Sequence, residues 1–83
     1  MFVVVLTHIE ADGNDYTRVI SKHRTRSAAI KSMLKTMASY YGWPNTKEFK
    51  EEFKDDYEET IKTGNCKVEP YKGFFSFWSV IEV

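Results

Sequence analysis

The chain has 83 residues and a mass of 9.7 kDa, and a domain this small hides only about 60% of the surface that its unfolded form exposes. With 42% hydrophobic and 29% charged residues it is too apolar for a disordered tail. Twelve basic side chains balance twelve acidic ones, so charge-driven recognition must come from local segregation, not from net charge. Cys66 is the one cysteine, which excludes an intramolecular disulfide, and with His8 and His23 it makes too few ligands for a structural zinc site. No apolar run approaches the roughly 18–20 residues that cross a bilayer, and the opening MFVVVL is too short for a signal peptide. These absences predict one domain over residues 1–83 in the cytoplasm, away from membranes, with neither metal nor cofactor.

Residues 2–9, FVVVLTHI, are rich in β-branched side chains and apolar on both alternating rows as far as Leu6, the pattern of a central strand. The run 11–15, Ala-Asp-Gly-Asn-Asp, is turn chemistry. A second strand over about 16–22 mixes Tyr16, Val19 and Ile20 with polar residues, and Arg18 and Lys22 suit an edge. A helix then starts near Thr25 or Ser27, either of which can cap it. Ile30, Met33, Leu34, Met37 and Tyr41 recur at helical spacing, and Gly42 suits the end. Trp43-Pro44 breaks the chain, and Asn45 with Glu48 has the form of a capping box for a second helix running to about Thr63. Phe49, Phe53, Tyr57 and Ile61, four residues apart, make its single apolar ridge.

Cys66 to Glu69 alternates like a half-buried strand, Pro70 to Gly73 makes a turn, and residues 74–83 are apolar on both rows. Phe75, Phe77, Ile81 and Val83 form one row, and Phe74, Trp78 and Val80 the other, so this is a second central strand. The expected fold is therefore α+β, in the order ββααββ. It is a four-stranded antiparallel sheet of order 2-1-4-3 with two helices packed on one face, a layout that needs only short connections. The Phe75 row is expected in the core. Phe74, Trp78 and Val80 are expected to join Val4 and Leu6, or their odd-numbered neighbours, in an uncovered apolar patch, suited to a partner or to a second copy of the chain.

Charge is segregated along the chain. Arg18, Lys22, Arg24, Arg26, Lys31 and Lys35 fall in a stretch with no acid, whereas Glu48, Glu51, Glu52, Asp55, Asp56, Glu58 and Glu59 crowd the second helix against only Lys50 and Lys54. A row of carboxylates on a helix face can occupy a surface built to receive phosphates. The basic stretch supports an alternative, a small nucleic-acid-binding module. Lys72-Gly73-Phe74 matches only the opening of an RNA-recognition strand, and the element order differs from that domain.

Signs of catalysis are sparse. His8 has the chemistry of a general base, but no nucleophile is tied to it by sequence. A third reading, a toxin-type nuclease, would put His8 or His23 in acid–base work. Glu10, Asp12 and Asp15 crowd one turn without the spacing of a calcium loop. No glycine-rich phosphate loop is present.

In size, in lacking enzyme motifs and in its acidic helix, the chain resembles small phage-encoded inhibitors of bacterial defence, of the anti-CRISPR type. That resemblance implies a non-catalytic protein in the host cytoplasm that occupies a nuclease or nucleic-acid-binding complex. The partner would then be a protein with a basic, nucleic-acid-binding surface. The resemblance makes Glu51, Glu52, Asp55, Asp56, Glu58 and Glu59 the candidate contacts.

Overall fold

The computed structural model describes residues 1–10, 12–13 and 15–83. Strand β1 is Phe2–Glu10, β2 Tyr16–His23, β3 Asn65–Tyr71 and β4 Phe74–Glu82. The helical segments are α1, Arg26–Tyr41, α2, Lys47–Glu52, and α3, Lys54–Thr63. The strands form one antiparallel sheet of order β2-β1-β4-β3, the α+β layout expected from the two greasy strands. Within the turn expected at 11–15, Ala11 and Asn14 lie outside the described residues. Asp15 caps the end of β1 there, its Oδ1 accepting from the Glu10 N–H at 3.0 Å. No helix among the described residues is long and apolar enough to cross a membrane.

The sheet's two faces are the reverse of the expected ones. Val4 pairs with Val80 and Leu6 with Trp78, so these side chains share a face, the first of the two pairings that the sequence left open. That face is the covered one. Val4, Leu6 and Trp78 are fully buried with Ala29, Met33 and Met37 of α1, and Val80 packs against them. Phe74, Trp78 and Val80 are therefore no uncovered patch. The open face carries Val5, Ile9, Phe75, Phe77 and Ile81 instead, with Val3 of the same row buried, and the Lys67 ammonium lies 4.5 Å from the Phe75 ring centre. Any docking on the sheet, by a second copy included, would use this row. Period-2 reasoning cannot choose between two apolar rows. The indole N–H favours the covered face: Trp78 Nε1 donates to the hydroxyl of Tyr41, at the end of α1, at 2.9 Å.

Thr25 caps α1, its hydroxyl accepting from the Ala28 N–H, and Gly42 closes it in the left-handed conformation. The second helix departs from expectation twice. Thr46, not Asn45, is its cap, accepting from the Phe49 N–H. Asn and Thr are both competent caps, and the chain uses the later one. The helix also breaks at Phe53, whose φ of −104° and ψ of 23° leave the helical range. The break spoils the four-residue ridge, so that Phe53 and Ile61 are exposed and Thr60 is the buried residue of α3.

Candidate functional site

A chain of aromatic rings ties the arm formed by α2 and α3 to the core. Trp78 contacts Tyr41, Tyr41 stacks on Trp43 at 5.2 Å, Trp43 meets Phe49 at 5.8 Å, and Phe49 meets Phe53 at 4.7 Å. At its other end the Arg26 guanidinium donates to the Lys62 carbonyl at 3.0 Å, and the Gly64 carbonyl accepts from the Val80 N–H at 2.8 Å. Ring pairs of this kind add about 0.5–1.5 kcal/mol each beyond the area they bury, enough to hold a short arm that buries little of itself.

Held in this way, the arm presents its charge outward. Glu48, Glu51, Glu52, Asp55, Asp56, Glu58 and Glu59 are all exposed. Among the described residues, none of the seven lies within 4.0 Å of a lysine or arginine nitrogen. Asp55 and Asp56 occupy the first turn of α3, where the helix dipole favours them. Seven acids against four lysines over residues 47–63 leave this segment negative, and the rest of the chain correspondingly positive, in a protein of zero formal net charge.

Beneath the arm runs a groove of about 540 Å³. Leu34 and Met37 of α1 and Cys66 and Val68 of β3 line one part of it, and Trp43, Phe49, Phe53, Tyr57 and Thr60 the other, with Asp56, Glu59, Glu69 and Lys67 as its charged lining residues. Periodicity did not reveal this groove, because its lining comes from four separate segments. Cys66 lies half-buried in it. Burial pushes the thiol above its ordinary range, the Thr60 hydrogen bond pulls it back, and the Asp56 and Glu59 charges push it up further.

The Cys66 thiolate is thus less favourable in the folded chain than in the unfolded one. The thiol's stabilising contribution is whole below the unfolded-state value and is lost as pH rises through the folded one. Alkylation of the native protein by iodoacetamide should begin at higher pH than alkylation of the urea-unfolded chain. Asp56→Asn with Glu59→Gln should move the native profile part of the way back. Identical native and unfolded profiles would contradict the burial.

A second cluster lies at the far end of the same sheet face. The register sets His8 opposite Ser76. His8 Nε2 is 2.9 Å from Glu10 Oε1 and Nδ1 is 3.3 Å from Ser76 Oγ. A carboxylate oxygen accepts, so Nε2 is the donor to Glu10, while the roles of Nδ1 and the Ser76 hydroxyl depend on the tautomer. Tyr16 stacks on His8 at 5.0 Å. Its phenol is held above the ordinary range, first by a hydrogen bond with Tyr40 and then by burial.

Sequence reasoning left His8 without a nucleophile, and only the β1–β4 register supplies one. Ser76 is nevertheless 1% exposed, and its strand is paired on both sides at that point. Backbone N–H groups of that strand serve the sheet, and the His8 contact gives the buried Ser76 hydroxyl a hydrogen-bond partner. His23 bonds Ser21, Nε2 to Oγ, at 2.8 Å. Among the described residues, no group of three or more His, Cys, Asp and Glu side chains could hold a metal ion.

The six basic residues do not share one face. Arg18 pairs with Leu6 on the helix side of the sheet, whereas Lys22 pairs with Val3 on the open side. Arg26 is engaged at Lys62, and Lys31 and Lys35 are exposed on α1. Arg24 lies in the β2–α1 connection. The β-bulge between Val4 and Val5 shifts the phase of β2, which a linear reading of the basic stretch does not register.

Compared with protein-family models, curated proteins and solved structures, the chain matches none.

Proposed function

We propose that this protein is a non-catalytic binding protein that docks its acidic α2–α3 arm on a basic surface of a protein partner. The observation that carries this reading is the set of seven exposed carboxylates with no lysine or arginine of the described chain paired to them. An ion pair at a solvated surface is worth about 0–1 kcal/mol. Several made at once, in a surface that loses water on docking, add up to a specific complex and a faster encounter. The resemblance to phage-encoded inhibitors of bacterial defence makes a nuclease or nucleic-acid-binding complex the favoured partner class, with the arm standing where a phosphate backbone would lie. Splitting of the basic residues between two sheet faces weakens the nucleic-acid-binding alternative, since phosphate recognition needs those charges together.

The test is reversal of Glu51, Glu52, Asp55 and Asp56 to Lys. These side chains are exposed, so the variant should keep its circular dichroism spectrum. The native chain should retain a basic protein from nuclease-treated host lysate, and duplex DNA should displace that protein. The reversed chain should lose it by about a hundredfold or more, as several pairs become repulsions. Retention unaltered by the reversal would overturn the reading.

A further inference from the structure

Resting on that reading, we infer that the groove under the arm receives apolar side chains of the partner's docking segment, which is therefore a cationic amphipathic peptide segment and not a flat basic surface. Leu34, Met37, Phe53 and Val68 give the groove apolar walls. Of its charged lining residues Asp56, Glu59 and Glu69 are acidic while Lys67 alone is basic, with its ammonium over the Phe75 ring on the opposite face. Apolar walls alone would suit many occupants, and the carboxylates narrow the choice. They disfavour an anionic ligand and favour a segment whose lysines or arginines flank its apolar residues. The volume, about 540 Å³, falls in the range of about 300–1,000 Å³ that holds compact ligands, which is room for a few aliphatic side chains. Phe53 is 37% exposed at the groove, the condition of an aromatic anchor awaiting cover. Docking there would join the two features that the arm creates, a charged outer side and an apolar underside.

Two synthetic peptides of equal length and charge separate this inference from the reading beneath it. One carries Leu at positions i, i+3, i+4 and i+7 with Lys elsewhere, and the other carries Ala at the same four positions. Fluorescence anisotropy at 150 mM salt should show the Leu peptide binding the native protein at least about thirtyfold more tightly, since four buried Leu side chains outweigh four Ala. The Leu peptide alone should slow iodoacetamide modification of Cys66. Alkylating Cys66 with N-ethylmaleimide, with folding checked by circular dichroism, should bring the Leu peptide down to the affinity of the Ala peptide.

Equal binding of the two peptides, without protection of Cys66, would overturn the groove and leave the acidic arm standing. Tighter binding of the Leu peptide with no effect at Cys66 would place the apolar contact elsewhere, such as the open sheet face, and would also overturn it. Failure of both peptides to bind would remove the acidic arm as well.

Discussion

Trp78→Ala should cost about 3–5 kcal/mol, the range for emptying a fully buried aromatic site, and so remove most of the stability of a domain this small. The side chain is 0% exposed between α1 and the sheet. Its loss would leave a void among Leu6, Met33 and Met37, deprive the Tyr41 hydroxyl of its donor, and detach the innermost ring of the series that ends at Phe53. Trp78→Phe keeps a ring but no N–H and should fall between the two. Phe77→Ala on the open face is the control. That ring is only partly covered, so its removal should cost about 1 kcal/mol. Urea titrations followed by far-ultraviolet circular dichroism measure all three, and a costlier Phe77→Ala than Trp78→Ala would mean that the sheet faces the other way.

Gly64→Ala should destabilise more than Gly42→Ala, although both glycines end helices with nearly the same left-handed backbone. Gly42 has φ 67° and open space where a Cβ would stand, so alanine there incurs only the left-handed penalty of about 1–2 kcal/mol. Gly64 has φ 74°, is buried, and would bring its Cβ to 3.3 Å from the Arg26 guanidinium and 3.7 Å from the Val80 Cβ. Arg26 must yield, and with it goes the bond to the Lys62 carbonyl that fastens the end of α3. About 2–3 kcal/mol is expected, a fall in Tm of roughly 8–24 °C for a domain of this size. Equal melting temperatures for the two variants would show that the Arg26 contact contributes nothing.

The strand order was readable because the two strands with apolar side chains on both rows, residues 2–9 and 74–83, had to take the middle of the sheet. Which row faced the helices was not readable, because Phe74, Trp78 and Val80 differ from Phe75, Phe77 and Ile81 in shape and hydrogen-bonding need more than in hydrophobicity. The ridge of Phe49, Phe53, Tyr57 and Ile61 was visible as a spacing, but spacing does not say what a ridge rests on. Phe49 rests on Trp43, outside any strand, and Ile61 ends up half exposed. The acidic row was legible because consecutive charges at helical spacing have few places to go but solvent. The groove and the His8–Ser76 contact were not, since both join residues far apart in the chain and exist only once the register is fixed.

The arm is fastened at its two ends and spans the hollow between them, and the fastenings differ in kind. Near Gly64 they are backbone and guanidinium bonds with narrow geometric tolerance. Near Trp43 they are ring contacts, favourable over centroid separations of about 4.5–7 Å, and the three there lie between 4.7 and 5.8 Å. The Gly64 end is thus the geometrically strict fastening and the Trp43 end the tolerant one. Any widening of the groove would therefore fall first on the ring contacts and would leave the strand pairs intact.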